Sequence, residues 1–442
     1  MARMWRPSLA VLFASLLPTV AFASQGPDAI EWLQGHAQPA DGKGAKMQFV
    51  QSLGDVRVIG LGEATHGQRE CFAFKHRLTL HLIYRHGFRL VAYEASATRA
   101  QRLDDYIQGR SDSIDEAMGG FGMMIWMVEG NRALLEDLRA WNLEAEPGDR
   151  VEIIGVDVQD PGNAASKLYS ILAETAPDLA SETEAVTKYM FAARDRIYAG
   201  KTEALAPAQA RLEALVTGLT LRWGEIAQQT SPELADEALR CGREIARFPL
   251  DPSQPDRRDR GMAQSLLDAL TSRSPDTKAV LWGHNGHITK GPLRSIGTDA
   301  RGCGGYLRAV LGERYFALGV AFGSGGFQAL DQDEAGKWAF RRYRHGSAPA
   351  ETVGHAFLQA GLSDALVNFR EAPAEGPVRS WLDGSIGMRS WGGYRVPADP
   401  DAAVKEGQGL AWTVLAQDFD GLLFLEETSP AEPVDKGAIW KE

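Results

Sequence analysis

The chain has 442 residues, 44% of them hydrophobic and 24% charged, and a formal net charge of -11. That composition describes an ordinary globular chain with room for one large domain or two modest ones. The acidic balance excludes a nucleic-acid partner, because the electrostatic attraction that dominates such binding would become repulsion over most of the surface.

The first residues carry Arg3 and Arg6 ahead of an apolar stretch from Leu9 to Phe22, which closes on the small-x-small triplet Ala21-Phe22-Ala23. This pattern predicts a secretory signal peptide over 1–23, cleaved after Ala23, and a mature domain over 24–442 that is exported to the periplasm or medium. The stretch is short for a spanning helix and Pro18 interrupts it. No later segment is long and apolar enough to cross a bilayer, so no stable membrane insertion is expected after cleavage.

Seven short runs then read as buried strands: 56–62, 89–95, 151–157, 278–284, 314–322, 364–369 and 421–427. Most are continuously apolar rather than alternating, the pattern of strands covered on both faces, which predicts a mixed, largely parallel sheet. Helical patterns separate them. One covers 69–86 and stops at Gly87, and another places Leu134, Leu138 and Trp141 on one face. Strand and helix alternate, so the fold class is α/β with a central sheet flanked by helices. Between the third and fourth runs, 164–247 is rich in Ala, Leu, Glu and Arg and predicts a helical insertion. The Pro-rich "FPLDPSQPDRRDR" returns the chain to the core, and the segment after Thr428 reads as loose surface chain.

Polar groups cluster where the apolar runs end. Glu63 and His66 follow the first in "VIGLGEATHGQRE", Glu94 ends the second, Asp157 and Asp160 follow the third, and His284 and His287 follow the fourth. In open α/β sheets these carboxyl ends open into the ligand crevice. The glycines of the first segment do not form a dinucleotide fingerprint, since Thr65 stands where the third glycine would be and Glu63 where a pyrophosphate would approach. No Walker A sequence and no G-x-S-x-G elbow occurs.

The three cysteines, Cys71, Cys241 and Cys303, form no CxxC pair and have no base nearby in sequence. They exclude a zinc ribbon and leave at most one disulfide, whose pairing the spacing does not fix. Histidines and carboxylates without a nucleophile point to direct attack by water, with an imidazole as general base and a carboxylate fixing its tautomer. Cationic or N–H groups must then meet the oxyanion, and His284, His287 and the arginines of "RRDR" are candidates. His36, His76, His81, His86, His345 and His355 read as structural. In "GGFGMMIWMVEGN", Met123, Met124, Trp126 and Met127 form either a core plug or an adaptable apolar wall for a bulky substrate.

The segments "GLGEATHGQRECFAFKHRL", "YEAS", "GVDVQD", "RRDRGMA", "WGHNGH" and "FDGLLFLEETSP" occur in the order and approximate spacing found in the erythromycin esterase family, which hydrolyses macrolide lactones. The resemblance spans nearly the whole mature chain. It implies a hydrolase without cofactor or metal, with His66 as base, Glu63 beside it and Glu94 as second carboxylate. His284 and His287 match the family's paired histidines and Arg258 its active-site arginine, with Asp259 holding that arginine or its loop. The substrate would be a macrolide or another small ester. Two other readings use the same residues: a divalent-metal hydrolase, and a non-catalytic exported protein that binds a metal or a haem-like ligand. The His284-Asn285-Gly286-His287 quartet resembles a metal half-site.

Overall fold

A computed structural model describes residues 26–40, 49–198, 206–249, 256–294, 300–332 and 336–439. The signal peptide expected over 1–23 and the proline-rich stretch at 250–255 lie outside them. Each apolar run becomes a strand because its side chains have a core on both sides. In β2 (Val58–Leu61), Ile59 and Leu61 enter one apolar layer and Val58 the other. In β5 (Lys278–Trp282), Val280 and Trp282 alternate in the same way with Ala279 and Leu281. This is the period of two expected of a pleated strand covered on both faces.

The remaining strands of the sheet are β1 (Gln38–Pro39), β3 (Phe88–Ser96), β4 (Glu152–Asp157), β6 (Tyr315–Gln332), β7 (Trp338–His345), β8 (Ala365–Asn368) and β11 (Gly421–Thr428). Together they form a nine-stranded sheet in the order β1-β8-β11-β6-β2-β5-β3-β4, with β7 paired to β6. The six strands from β11 to β4 run parallel, while β1, β7 and β8 join antiparallel. The sheet is therefore mixed and largely parallel, as the apolar runs predict. A separate hairpin pairs β9 (Ser385–Arg389) with β10 (Leu410–Val414).

Helices Arg69–His86 and Glu129–Glu144 cover one face, and Arg257–Thr271 and Cys303–Leu311 cover the other. The first ends where the sequence predicts, with Gly87 in the left-handed region at φ 71°. Between β4 and β5 the chain forms helices Gly162–Leu172, Pro177–Tyr198, Ala206–Leu221, Trp223–Gln229 and Pro232–Ala246. These pack around an apolar cluster of their own that includes Leu168, Leu215 and Ile245. No helix among the described residues is long and apolar enough to cross a membrane.

The segment after Thr428 is not loose. Ser429 O accepts from Arg69 N–H at 2.9 Å, Ala431 N–H donates to Gly67 O at 2.9 Å, and Val434 N–H donates to Met127 O at 3.0 Å. Its composition is that of a loop, but its backbone groups find partners in two other loops and Ala431 is buried. It clasps the turn that carries Glu63 and His66.

Candidate active site

The turn after β2 approaches its neighbours closely. A methyl group on Gly62 would collide with the Asn285 carboxamide, and one on Gly67 would collide with the backbone of Gln328. The glycines of "GLGEATHG" thus permit close backbone approach rather than phosphate binding. Gly62 N–H donates to Leu318 O at 2.9 Å, Asn285 N–H donates to Glu63 O at 2.9 Å, and Gly283 N–H donates to Leu61 O at 3.3 Å. The Asn285 side chain grips β6, donating to Val320 O at 2.8 Å and accepting from Val320 N–H at 3.0 Å. Two histidine-bearing turns are therefore fixed to one another through the backbone.

On the face covered by Arg69–His86, the Glu63 carboxylate is fully buried, and its Oε1 lies 3.5 Å from His66 Nδ1 and 3.3 Å from Lys75 Nζ. Burial opposes ionisation of Glu63, but Lys75 and then His66 outweigh it and hold the carboxyl below its ordinary range. The His66 ring meets Trp126 edge-on, with centroids 5.2 Å apart, and His284 at 5.3 Å. Its motion is restricted on both sides.

On the opposite face, Glu94 sits where the β3–β4 register shifts, between the pairs Tyr93 with Gly155 and Ser96 with Asp157. Such an irregularity re-aims a side chain. Glu94 Oε1 accepts from Arg258 Nη2 at 2.7 Å and lies 3.2 Å from His287 Nε2, while Oε2 accepts from His284 N–H at 3.2 Å. Arg258 also donates through Nε and Nη2 to the two oxygens of Asp157, both at 2.9 Å. Although burial works the other way, His287 and Arg258 hold Glu94 well below the usual carboxylate range.

The paired histidines have opposite charge states. Burial, reinforced by His66 and His287, lowers His284 to about 4. Its Nδ1 accepts from Gly286 N–H at 3.2 Å, which leaves Nε2 as the proton-bearing nitrogen, 3.4 Å from Ala64 O and 3.5 Å from Ser390 Oγ. For His287, burial is outweighed by Asp259 and Glu94, which push it up to about 10. Its Nδ1 lies 2.7 Å from Asp259 Oδ1. Arg258 Nη1, 3.0 Å from His287 Nε2, could donate to it only if that imidazole were neutral. With two carboxylates flanking the ring we assign the imidazolium, and both cations then share Glu94 Oε1.

That assignment carries a stability signature. His287 is raised relative to its ordinary value of 6.5, so its contribution to folding is fully present below about pH 6.5 and is lost as pH rises through about 10. His287→Gln should show a smaller loss of stability than wild type across that window in urea unfolding. Equal losses in the two proteins would refute the imidazolium.

Glu63, His66, Glu94, Arg258, His284 and His287 thus meet at the carboxyl ends of β2, β3 and β5, joined there by Asp157. Asp259 departs from expectation: it holds His287 and accepts from Cys303 N–H at 2.9 Å, whereas Arg258 is held by Asp157 and Glu94. Asp160 instead pairs with Arg99 at 3.3 Å. Met123, Met124 and Met127 are half-buried against the core, and Gln159 Nε2 lies 3.4 Å from Met123 Sδ. Trp126 is fully buried and packs edge-on against His66.

Sequence reasoning passed over Lys75, although its place on the helix face that also presents Cys71, Leu78 and Leu82 marks it as a buried charge. It also missed Trp391, whose N–H donates to Ala64 O at 2.9 Å and whose Nε1 donates to His345 Nε2 at 2.8 Å. His345 in turn contacts Asp401 at 2.6 Å, a structural role as expected.

All three cysteines are free and buried. Burial raises Cys71 and Cys241 to about 12 and Cys303 well above its ordinary value. Among the described residues, no three His, Cys, Asp or Glu side chains form a group that could hold a metal ion.

Comparison with known proteins places the family and the fold. The family model described as erythromycin esterase matches residues 83–428. A protein named erythromycin esterase type II from Escherichia coli is 24% identical over 353 residues, covering 73% of this chain and 83% of that relative. A Bacillus cereus protein of known structure superimposes with a TM-score of 0.73 at 19% identity, covering 92% of this chain and 98% of its own. A histidine-to-asparagine mutant of the erythromycin esterase EreC, in its open conformation, gives a TM-score of 0.69 at 16% identity and covers 90% of this chain and 99% of its own.

Proposed function

Because this chain belongs to the erythromycin esterase family, whose membership implies hydrolase chemistry, we propose that it opens the lactone ring of a macrolide by direct attack of water, with His66 as general base. The observation that carries the reading is the Glu63–His66 pair. The buried Nδ1 faces Glu63, so Nε2 is the nitrogen left to accept a proton. In the first step the water oxygen bonds to the ester carbonyl carbon and its proton passes to His66. The oxyanion is met by donors on the facing wall, the Nε2–H of His284 and the Arg258 guanidinium. In the second step the carbon–oxygen bond of the ring breaks and the departing alkoxide takes the proton from His66. The product is a ring-opened hydroxy acid that has gained one water.

Two features support a route without a covalent intermediate. The cysteine thiols are buried and held protonated. Ser390 Oγ does lie near His284 Nε2, but that nitrogen carries the proton and cannot deprotonate a hydroxyl. A metal-free reading is favoured by the donor set, since Glu94 Oε1 and His287 Nε2 both face Arg258 and a cation there would displace a guanidinium. The N-terminal pattern of Arg3, Arg6 and Ala21-Phe22-Ala23 supports action outside the cytoplasm, on a substrate met there.

The test is mass spectrometry of macrolides of different ring size after incubation with the mature protein, with and without chelator. Gain of one water, unaffected by chelator and with the label from heavy-oxygen water in the new carboxylate, is the expected result. Absence of any gain with folded protein would remove the macrolide assignment, and loss on chelation would favour a metal hydrolase.

A further inference from the structure

Lys75 is 1% exposed, in the middle of helix Arg69–His86, and no step described above uses it. Its ammonium lies over the indole of Trp282 at 4.5 Å and near that of Trp126 at 5.8 Å. Among the described residues its sole anionic contact is Glu63 Oε1 at 3.3 Å, the same oxygen that lies 3.5 Å from His66 Nδ1. Glu63 Oε2 has no hydrogen-bond donor among the described residues. One carboxylate oxygen therefore stands between a fixed cation and the imidazole.

The charge of Glu63 poses a problem that the lysine solves. A fully buried carboxylate beside a histidine needs compensation, and the nearest available source is a proton on the imidazole. A protonated His66 cannot take a proton from water. The base needs the carboxylate to orient Nδ1–H, yet it must not be charged by it. A cation on the far side of Glu63 separates those two effects.

We propose that Lys75 is a positioning residue that neutralises Glu63 and so leaves His66 an oriented, neutral base. This rests on the reading of His66 as base. The other titratable groups facing the pair are Glu94 and the Tyr93 phenol from β3, His284 from the turn after β5, and the Cys71 thiol one helical turn before Lys75. Of these only Glu94 is an anion. It is already matched by Arg258 and His287 on the opposite face, so it does not substitute for the lysine.

The test follows proton uptake by the Glu63–His66 pair through assigned His66 imidazole NMR signals, which does not depend on turnover. In Lys75→Met the pair should take up its proton at a pH higher by roughly one to three units than in wild type. Lys75→Arg should return it most of the way. The double variant Lys75→Met with Glu63→Gln removes both charges, leaves neither charge buried without its partner, and should lose the upward shift. Unchanged proton uptake in Lys75→Met, or an upward shift that persists in the double variant, would overturn the proposal. If Lys75→Met does not fold, the double variant and Lys75→Arg decide it: Lys75→Arg must titrate close to wild type and the double variant must show no upward shift. An altered titration in a protein whose wild type hydrolyses no ester would sink the proposed function and leave the charge relation standing.

Discussion

His66→Ala should lower kcat on the ester substrate by about 10²- to 10⁴-fold, the usual worth of a positioned general base. The Michaelis constant should change little, because proton transfer is an interaction made in the transition state and not in the ground state. The ring lies with its Nδ1 3.5 Å from Glu63 Oε1 and is confined between Trp126 and His284, so removing it deletes the acceptor while the facing donors stay where they are. His284 cannot take over, since burial holds it at about 4 and its Nδ1 is occupied by Gly286 N–H. Steady-state kinetics on both proteins decide the matter. A variant that keeps its kcat within about tenfold would show that another group takes the proton from water.

Arg258→Leu should combine a loss of turnover with a destabilisation of about 3–5 kcal/mol, the cost of leaving buried charges without their partner. Arg258 joins Glu94 and Asp157, whose side chains are 4% and 3% exposed, through three hydrogen bonds. Among the described residues the leucine leaves His287 as the one cation beside Glu94, while Asp157 keeps the backbone N–H groups of Val158 and Gln159. The pH dependence comes from the sign of the shift. In wild type the Glu94 carboxyl is held below its ordinary value, so its contribution is present above that value and is lost as pH falls through the folded one. The variant has less of this contribution to lose. Its stability deficit, measured by urea unfolding, should therefore shrink on acidification, and a deficit that is constant with pH would mean that the arginine acts through packing alone.

The parallel core and the polar ends of its strands are legible in the sequence because each step is local. A continuous apolar run such as "KAVLW" has few alternatives to a strand covered on both faces, and the residues after its last position must emerge at the sheet edge. The helix over 69–86 carries its own stop at Gly87. Elements whose identity depends on a distant partner are not legible in this way. β7 reads "WAFRRYRH", and its arginines interrupt the apolar pattern, although Phe340 and Tyr343 are buried on opposite faces of the strand beside the extended half of β6. The hairpin of β9 and β10 is set by pairing across twenty intervening residues. Asp259 is adjacent in sequence to Arg258 and invites pairing with it, but successive helical residues point in different directions and its carboxylate reaches His287 instead. Lys75 was hidden by its type, since lysine is read as surface unless its neighbours on the helix are weighed.

The clasp over the turn of Glu63 and His66 has a consequence in time. Ser429 is bonded to Glu70 across 359 positions of sequence. A ribosome therefore finishes the turn of Glu63 and His66 long before it makes the segment that secures it. Contacts of such separation close late, after the chain has paid their entropy. A nascent polypeptide would carry every acid and histidine of the site and still hold them loosely until the codons for residues 429 to 434 have been read. A premature stop shortly before them would yield a chain with each of these side chains present and the turn that carries Glu63 and His66 unfastened.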